Sequence, residues 1–393
     1  MLAPGVLVPT FVLLIVVAFA LFARGVGTVA GNELSKHQCV FTAVNAATLT
    51  GFQQARNPAD YTPAGQVITL ALMIGGTLFS LVGGGLAVTR ITRLRFRDWT
   101  LAVTAVASVL LVAAIGAVAA KGPDRFAGAY QAISAFGNVG LYVGHLPAGD
   151  DARTLWLLMP LAVLGSLGLP ALLDGAARLR GRGRHLSAHT RVVVCTSATV
   201  YLATAAVLFL LLAAEGTSPD GGSIVPWAAV TASREAVNAR SAGFPFEFVS
   251  YLPAASSIVL MVAMVIGGAP GGTAGGLKVT TVAAVAGGVW DSLRGRPIRR
   301  TFGLAVAWLV AYVGIMLTAT VALLMADPEL RGDRLLYLAA SALGNVGLSH
   351  DPVSPSTAGM YVLSLTMLAG RVLPVLVLWT IADRMGEVTE AIG

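Results

Sequence analysis

Charged side chains are scarce in this 393-residue chain. Only 11% of residues are Asp, Glu, Lys or Arg, against about 25% in an ordinary soluble domain. Hydrophobic residues make up 56%, and the mean hydropathy is +0.79. This balance leaves no room for a soluble domain of normal size. Cysteine is nearly absent: Cys39 and Cys195 are the only two, so no disulfide framework is implied. The five histidines, His37, His145, His185, His189 and His350, form no HExxH or paired-ligand pattern, and no G-x-S-x-G nucleophile motif occurs. Neither metal-assisted hydrolysis nor serine chemistry has its residues, and the chain reads as a non-enzyme.

What is present is long uncharged chain. Stretches without Asp, Glu, Lys or Arg cover 1–23, 61–89, 99–120, 154–173, 192–214, 248–277, 302–326 and 352–370, the last continuing past Arg371 to Ile381. A membrane crossing needs about 20 apolar residues, so eight transmembrane helices are expected. The first lacks a basic n-region, and its apolar run exceeds the roughly 7–15 residues of a signal-peptide core. It is taken as a true span.

The net charge of +7 is concentrated. Arg90, Arg93, Arg95 and Arg97 crowd one connection, Arg178, Arg180, Arg182, Arg184 and Arg191 another, and Arg294, Arg296, Arg299 and Arg300 a third. Together they hold 13 of the 26 basic residues but only three acids, Asp98, Asp174 and Asp291. The positive-inside rule makes these loops cytoplasmic. A multi-pass protein of the cell membrane with both termini cytoplasmic follows, and the basic clusters read as topology determinants with no nucleic-acid partner.

The opposite connections each contain a short, moderately apolar segment: CVFTAVNAATLTGF (39–52), AYQAISAFGNVGL (129–141), REAVNARSAGF (234–244) and LYLAASALGNVGL (336–348). Aligned, they place Gly51, Gly140, Gly243 and Gly347 in register, spaced by 89, 103 and 104 residues. An aromatic stands ten residues earlier in three of them, as Phe41, Tyr130 and Tyr337. A period near 100 residues, reading helix, half-crossing, helix, marks an internal repeat. The expected fold is an all-α membrane protein with eight transmembrane helices in four parallel M1–P–M2 pore-loop repeats around one central ion pathway. The repeat boundaries are 1–90, 91–180, 181–295 and 296–393.

Half-crossings have a specific consequence. Non-helical backbone at membrane depth is tolerated where protein buries it or it lines an aqueous path. Four short helices entering from outside aim their partially negative C-terminal ends at the membrane centre, which favours a cation. The following backbone carbonyls replace its hydration shell. The candidate filter is Leu49, Thr50 and Gly51; Asn138, Val139 and Gly140; Ser241, Ala242 and Gly243; and Asn345, Val346 and Gly347. An ordinary packing or turn role accounts well for one such glycine and poorly for four in register.

A second feature interrupts the third repeat: IGGAPGGTAGGLKVTT, residues 266–281. It is no phosphate loop, because Leu277 separates Gly276 from Lys278 and Val279 follows the lysine. Gly267, Gly268, Pro270, Gly271, Gly272, Gly275 and Gly276 cannot sustain a helix, since Gly costs about 1 kcal/mol and Pro about 3 in a helix interior. The helix therefore breaks near mid-membrane and resumes around Lys278. Arg371 is a second intramembrane charge, and such a group must face water or a partner. It can serve the break, snorkel, or pair with Asp383. Lys278 either joins the break or marks its cytosolic exit.

These residues carry a resemblance. Residues 266–281 are similar to the signature IGG-x-PG-x-TAGG-[IL]-K-x-TT of the Trk/Ktr/HKT superfamily of potassium-translocating membrane subunits, and MLAGR (367–371) is similar to its M-x-x-GR pattern. Chain length is more like the Ktr branch. Two departures are GRVLPVL (370–376), which lacks the family's Gly-Pro, and the unusual MIGGTLFSLVGGGLAV (73–88). The resemblance implies potassium translocation, with potassium as substrate, no cofactor in this chain and sodium dependence left open. It implies a gate made of Gly267, Gly268, Gly271, Gly272, Thr273, Gly275, Gly276, Lys278 and Arg371. It also implies a homodimer and a cytosolic nucleotide-binding regulatory ring. Glycine at all four filter positions resembles potassium-preferring members. The alternatives are a sodium or mixed monovalent cation transporter of this fold, or a secondary transporter with broken helices, which predicts inverted repeats. Outer acids such as Asp60, Glu247 and Asp351 either gather cations or are plain solvated charge.

Overall fold

The computed structural model describes residues 4–28, 33–53, 61–92, 94, 96–120, 124–181, 185–216, 223–246, 249–297, 300–351 and 355–390. Arg93, Arg95, Arg182, Arg184 and Arg299 of the basic connections, and the outer acids Asp60 and Glu247, lie outside the described residues.

The described chain is helical, and six helices are long and apolar enough to cross a membrane. They are α1 (Pro4–Ala23), α3 (Pro63–Leu78, continued through a π-helical turn at Phe79–Gly84 into α4, Gly85–Thr92), α5 (Asp98–Ala119), α9 (Ala188–Ala213), α13 (Arg300–Ala326) and α15 (Thr357–Glu390). Two of their starts follow from capping chemistry. Thr62 accepts from the Gly65 amide ahead of Pro63, and Ser187 accepts from the Thr190 amide. Each satisfies an orphan donor of a first turn. Outward faces carry exposed Leu110, Leu111, Val118, Leu202, Val310 and Leu365. In hydrocarbon, such side chains face a solvent as apolar as themselves.

Between the long helices stand four short ones: α2 (Lys36–Ala47), α6 (Arg125–Gly137), α10 (Ile224–Val237) and α14 (Gly332–Gly344). At 1.5 Å per residue each is about 20 Å long, short of the roughly 30 Å hydrocarbon core. α1 packs on α2, α5 on α6, α9 on α10 and α13 on α14. The short helices are buried, and they bring polar side chains inside, among them Asn45, Gln131, Ser134 and Ser341, with Asn345 directly after α14. The long helices α1, α5, α9 and α13 thus form the outside, α3–α4 and α15 are about half buried, and a polar centre lies within.

Two of the eight expected spans are not single straight helices. The run 154–173 starts with a π-helical turn (Thr154–Leu158), continues as α7 (Met159–Leu167) and bends by 100° into α8 (Leu169–Leu179). The corner is Gly168, at φ 78°, where a Cβ would press on the backbone of Gly271 and Gly272. The run 248–277 is helical only over α11 (Ala254–Val265), and helix resumes at α12 (Val279–Leu293). Residues 267–277 between them are buried without helical bonding.

Candidate functional site

Four chain reversals meet at one level. After α2 the chain turns through Leu49 (φ 58°) and Gly51 (φ 90°), after α6 through Asn138 (φ 56°) and Gly140 (φ 83°), and after α14 through Asn345 (φ 49°) and Gly347 (φ 84°). α10 differs: it widens into a π-helical turn, Asn238–Ala242, before Gly243 (φ 67°). The glycines close a ring. A methyl placed on Gly51 would overlap the Val139 carbonyl, on Gly140 the Gly243 carbonyl, on Gly243 the Val346 carbonyl, and on Gly347 the Thr50 carbonyl. Each loop thus touches the next in sequence order, and the fourth returns to the first.

Buried amides hold these turns. Asn45 Oδ1 accepts from the amides of Gly51 and Phe52, both at 2.9 Å, while its Nδ2 donates to the Phe52 carbonyl at 2.8 Å. Asn238 plays the same part in the third loop, accepting from the Phe244 amide at 2.8 Å and donating to the Phe244 carbonyl at 2.9 Å. Asn345 Nδ2 donates to Thr50 Oγ1 at 3.1 Å and to the Met367 carbonyl at 2.9 Å, joining the fourth loop to the first and to α15. Asn45 and Asn238 were not singled out from the sequence. A lone amide in an apolar helix was the available signal.

The glycine-rich stretch packs against this ring. Its root is closed by backbone bonds, Gly267 N to Leu277 O at 2.9 Å and Leu277 N to Val265 O at 2.9 Å. The bend at Gly168 supplies acceptors that a helix would have kept: Ser166 O takes the Ala269 amide at 2.8 Å, and Gly165 O takes the Thr273 amide at 3.1 Å. Thr273 Oγ1 donates to Phe136 O at 2.9 Å and accepts from Asn138 Nδ2 at 2.6 Å. Gly275 sits against the Gly344 carbonyl. Buried irregular backbone is thereby satisfied, as its position demands.

Three cations hold carbonyls of the stretch. Arg371, 4% exposed, donates from Nη1 to Thr273 O at 2.6 Å and to Ser80 Oγ at 3.2 Å, and from Nε to Thr48 O at 2.7 Å. It makes no pair with Asp383, which is exposed. Lys278 Nζ donates to Ala274 O at 2.6 Å. Arg240, which sequence reasoning did not single out, donates to Gly267 O at 3.0 Å. The space bounded by Ser80, Gly84, Gly271, Gly272, Lys278 and Arg371 is about 10 Å³, room for one water at most, since a water needs about 10–15 Å³. Among the described residues no cluster of His, Cys, Asp or Glu is arranged to hold a metal ion. Asp351, expected among the outer acids, is engaged by Arg334 Nη1 at 2.7 Å and His350 Nδ1 at 2.9 Å.

Comparison with known proteins points to the same superfamily. Residues 185–297 match the TrkH model, described as a cation transport protein. The chain is 26% identical to the Ktr system potassium uptake protein B of Vibrio alginolyticus, over 96% of this chain and 89% of that protein. It is 23% identical to the protein of the same name from Bacillus subtilis, over 96% and 93%. The crystal structure of the potassium transporter TrkH from Vibrio parahaemolyticus superposes with a TM-score of 0.69 at 18% identity, covering 88% of this chain and 78% of that one. The chain is similar to the Trk/Ktr superfamily. It is a membrane protein similar to the Ktr-type subunits, and its relatives are ion transporters, not enzymes.

Gly165, Ser166 and Gly168 are further neighbours of the glycine-rich stretch that sequence reasoning did not single out. Their signal was LGSLGLP (164–170), in which a Gly-Leu-Pro sequence interrupts an otherwise uniform apolar run.

Proposed function

We propose that this chain moves potassium across the cell membrane through a pathway ringed by four pore loops. The observation that carries the reading is the closed ring of Gly51, Gly140, Gly243 and Gly347, each set against a backbone carbonyl of the next loop. Backbone carbonyls replace a cation's hydration shell without any covalent chemistry. In this reading 1–90, 91–180, 181–295 and 296–393 are four parallel M1–P–M2 repeats. The filter runs over Leu49–Gly51, Asn138–Gly140, Ser241–Gly243 and Asn345–Gly347. The curated relatives named as potassium uptake proteins support potassium as substrate.

The gate in this reading is the stretch 267–276 with Lys278 and Arg371. Support comes from the 10 Å³ space beneath it and from its attachment through polar bonds, which separate more readily than a continuous apolar core. Both termini lie in the cytoplasm, on the side of the basic connections. Two copies form a homodimer, and a cytosolic nucleotide-binding ring docks on those connections and acts on the gate.

Purified protein in liposomes tests the reading. Reversal potentials measured under K⁺, Rb⁺, Na⁺ and Li⁺ gradients are expected to show potassium preferred over sodium. Equal permeation of sodium would replace potassium transport with mixed cation transport. Absence of any cation flux would overturn the pathway itself.

A further inference from the structure

Arg240 is a buried cation that the reading above leaves without a role and, unlike Arg234, it has no carboxylate beside it among the described residues. It stands in the π-helical turn Asn238–Ala242, directly before Ser241–Gly243, and is 9% exposed. Its Nη1 donates to the Ser197 carbonyl on α9 at 3.1 Å, and its Nη2 to the Gly267 carbonyl at 3.0 Å. Its Nε is buried without a partner, and among the described residues no carboxylate pairs with it. A guanidinium taken out of water without a counter-charge is a costly group to keep. An apolar side chain would fill the same volume at lower cost, so the two carbonyl bonds require an explanation.

The position of the second bond supplies it. Gly267 is the root of the glycine-rich stretch, where its amide closes the loop on Leu277 O. Arg240 therefore connects three things at once: the frame at α9, the third filter segment on its own backbone, and the root of the gate. Its planar fork suits this, because separate N–H groups reach two acceptors in fixed directions, which a lysine ammonium does not reproduce. The widened turn at Asn238–Ala242 occurs only in the third loop, the one that carries this arginine.

We propose that Arg240 is a positioning residue, a strut between the third filter segment and the root of the gate loop, so that loop displacement and ion selectivity change together. The proposal rests on the potassium-pathway reading and deepens it. Arg371 reaches the middle of the loop, at Thr273, whereas Arg240 fixes its hinge. Loss of the strut frees the hinge and relaxes the backbone at Ser241–Gly243 in one step.

The test is flux and reversal potential of the full-length protein in liposomes, for the parental chain, Arg240→Lys and Arg240→Gln, with Arg331→Gln as an exposed-arginine control. The parental chain and control must first prefer potassium; failure there falls on the potassium reading and not on the strut. Given that preference, Arg240→Gln is expected to lower the K⁺/Na⁺ permeability ratio about tenfold, the scale of one bond to a charged group, and to raise flux. Arg240→Lys, which keeps the charge and one bond, is expected to fall between. Should Arg240→Gln fail to reach the membrane, Arg240→Lys decides on the same two readouts. A changed flux with parental selectivity, a changed selectivity with parental flux, or no change in either overturns the strut.

Discussion

Arg371 Nη1 donates to the carbonyl of Thr273 at 2.6 Å, from a position 98 residues later in the chain. The same guanidinium reaches Thr48 O at 2.7 Å, one residue before Leu49. A single buried cation therefore bridges the glycine-rich stretch and the first of the four turns. Both acceptors are backbone carbonyls freed by the absence of helix, and each would be an unsatisfied buried group without the arginine.

Replacing this group should open the path. Arg371→Ala removes a positive charge from the proposed cation route and releases the middle of the loop, so potassium flux into liposomes is expected to rise several-fold. Protein amount and oligomeric state are measured alongside, since two carbonyls lose their donor. Flux below the parental level in intact protein would assign Arg371 to structure alone.

Gly51 tests the ring. It stands at φ 90°, and any Cβ there meets the Val139 carbonyl. Gly51→Ser thus adds both a left-handed conformation, costing roughly 1–2 kcal/mol, and a displacement of the neighbouring carbonyl. The expected result is a lowered K⁺/Na⁺ permeability ratio, with the thermal midpoint a few degrees lower. Unchanged selectivity in a folded Gly51→Ser protein would place the filter elsewhere.

These two tests differ in how far their residues could be read from the chain. The in-register glycines were legible because a positive φ leaves a local mark: Gly51, Gly140, Gly243 and Gly347 each follow a segment too short to span. The break after Val265 was legible for the same reason, as seven residues hostile to helix stand together. The 100° bend at Gly168 was hidden, because the absence of charge that marks 154–173 as a span carries no sign of where the run turns. Arg240 was hidden differently. Its acceptors, Ser197 O and Gly267 O, lie 43 and 27 residues away, and a backbone carbonyl leaves no mark in a sequence. The basic connections were conspicuous, yet charge counting speaks to orientation and not to packing.

Orientation has its own test. In a chain with Cys39 and Cys195 replaced, single cysteines at positions 296, 150 and 329 occupy exposed sites. An impermeant thiol reagent applied to intact cells is expected to modify those at 150 and 329 and to spare 296. Labelling at 296 from outside would invert the assignment of both termini.

Thr273 offers the most direct probe of how the loop is fastened. Its hydroxyl donates to Phe136 O and accepts from Asn138 Nδ2, while its carbonyl accepts from Arg371 and its amide donates to Gly165 O. Thr273→Val keeps the shape and both backbone bonds but removes the hydroxyl, leaving Phe136 O and the Asn138 amide without that partner. A net hydrogen bond is worth about 1 kcal/mol, so the loop is loosened without being dismantled, and flux is expected to rise by less than in Arg371→Ala. The two changes act on one residue of one loop. Their combination should therefore be non-additive, as for groups in direct contact: with the loop already released by Arg371→Ala, loss of the hydroxyl should add little. Flux in the double variant equal to the product of the two single increases would show that Thr273 and Arg371 restrain separate barriers, and the single-gate account of residues 267–276 would fail.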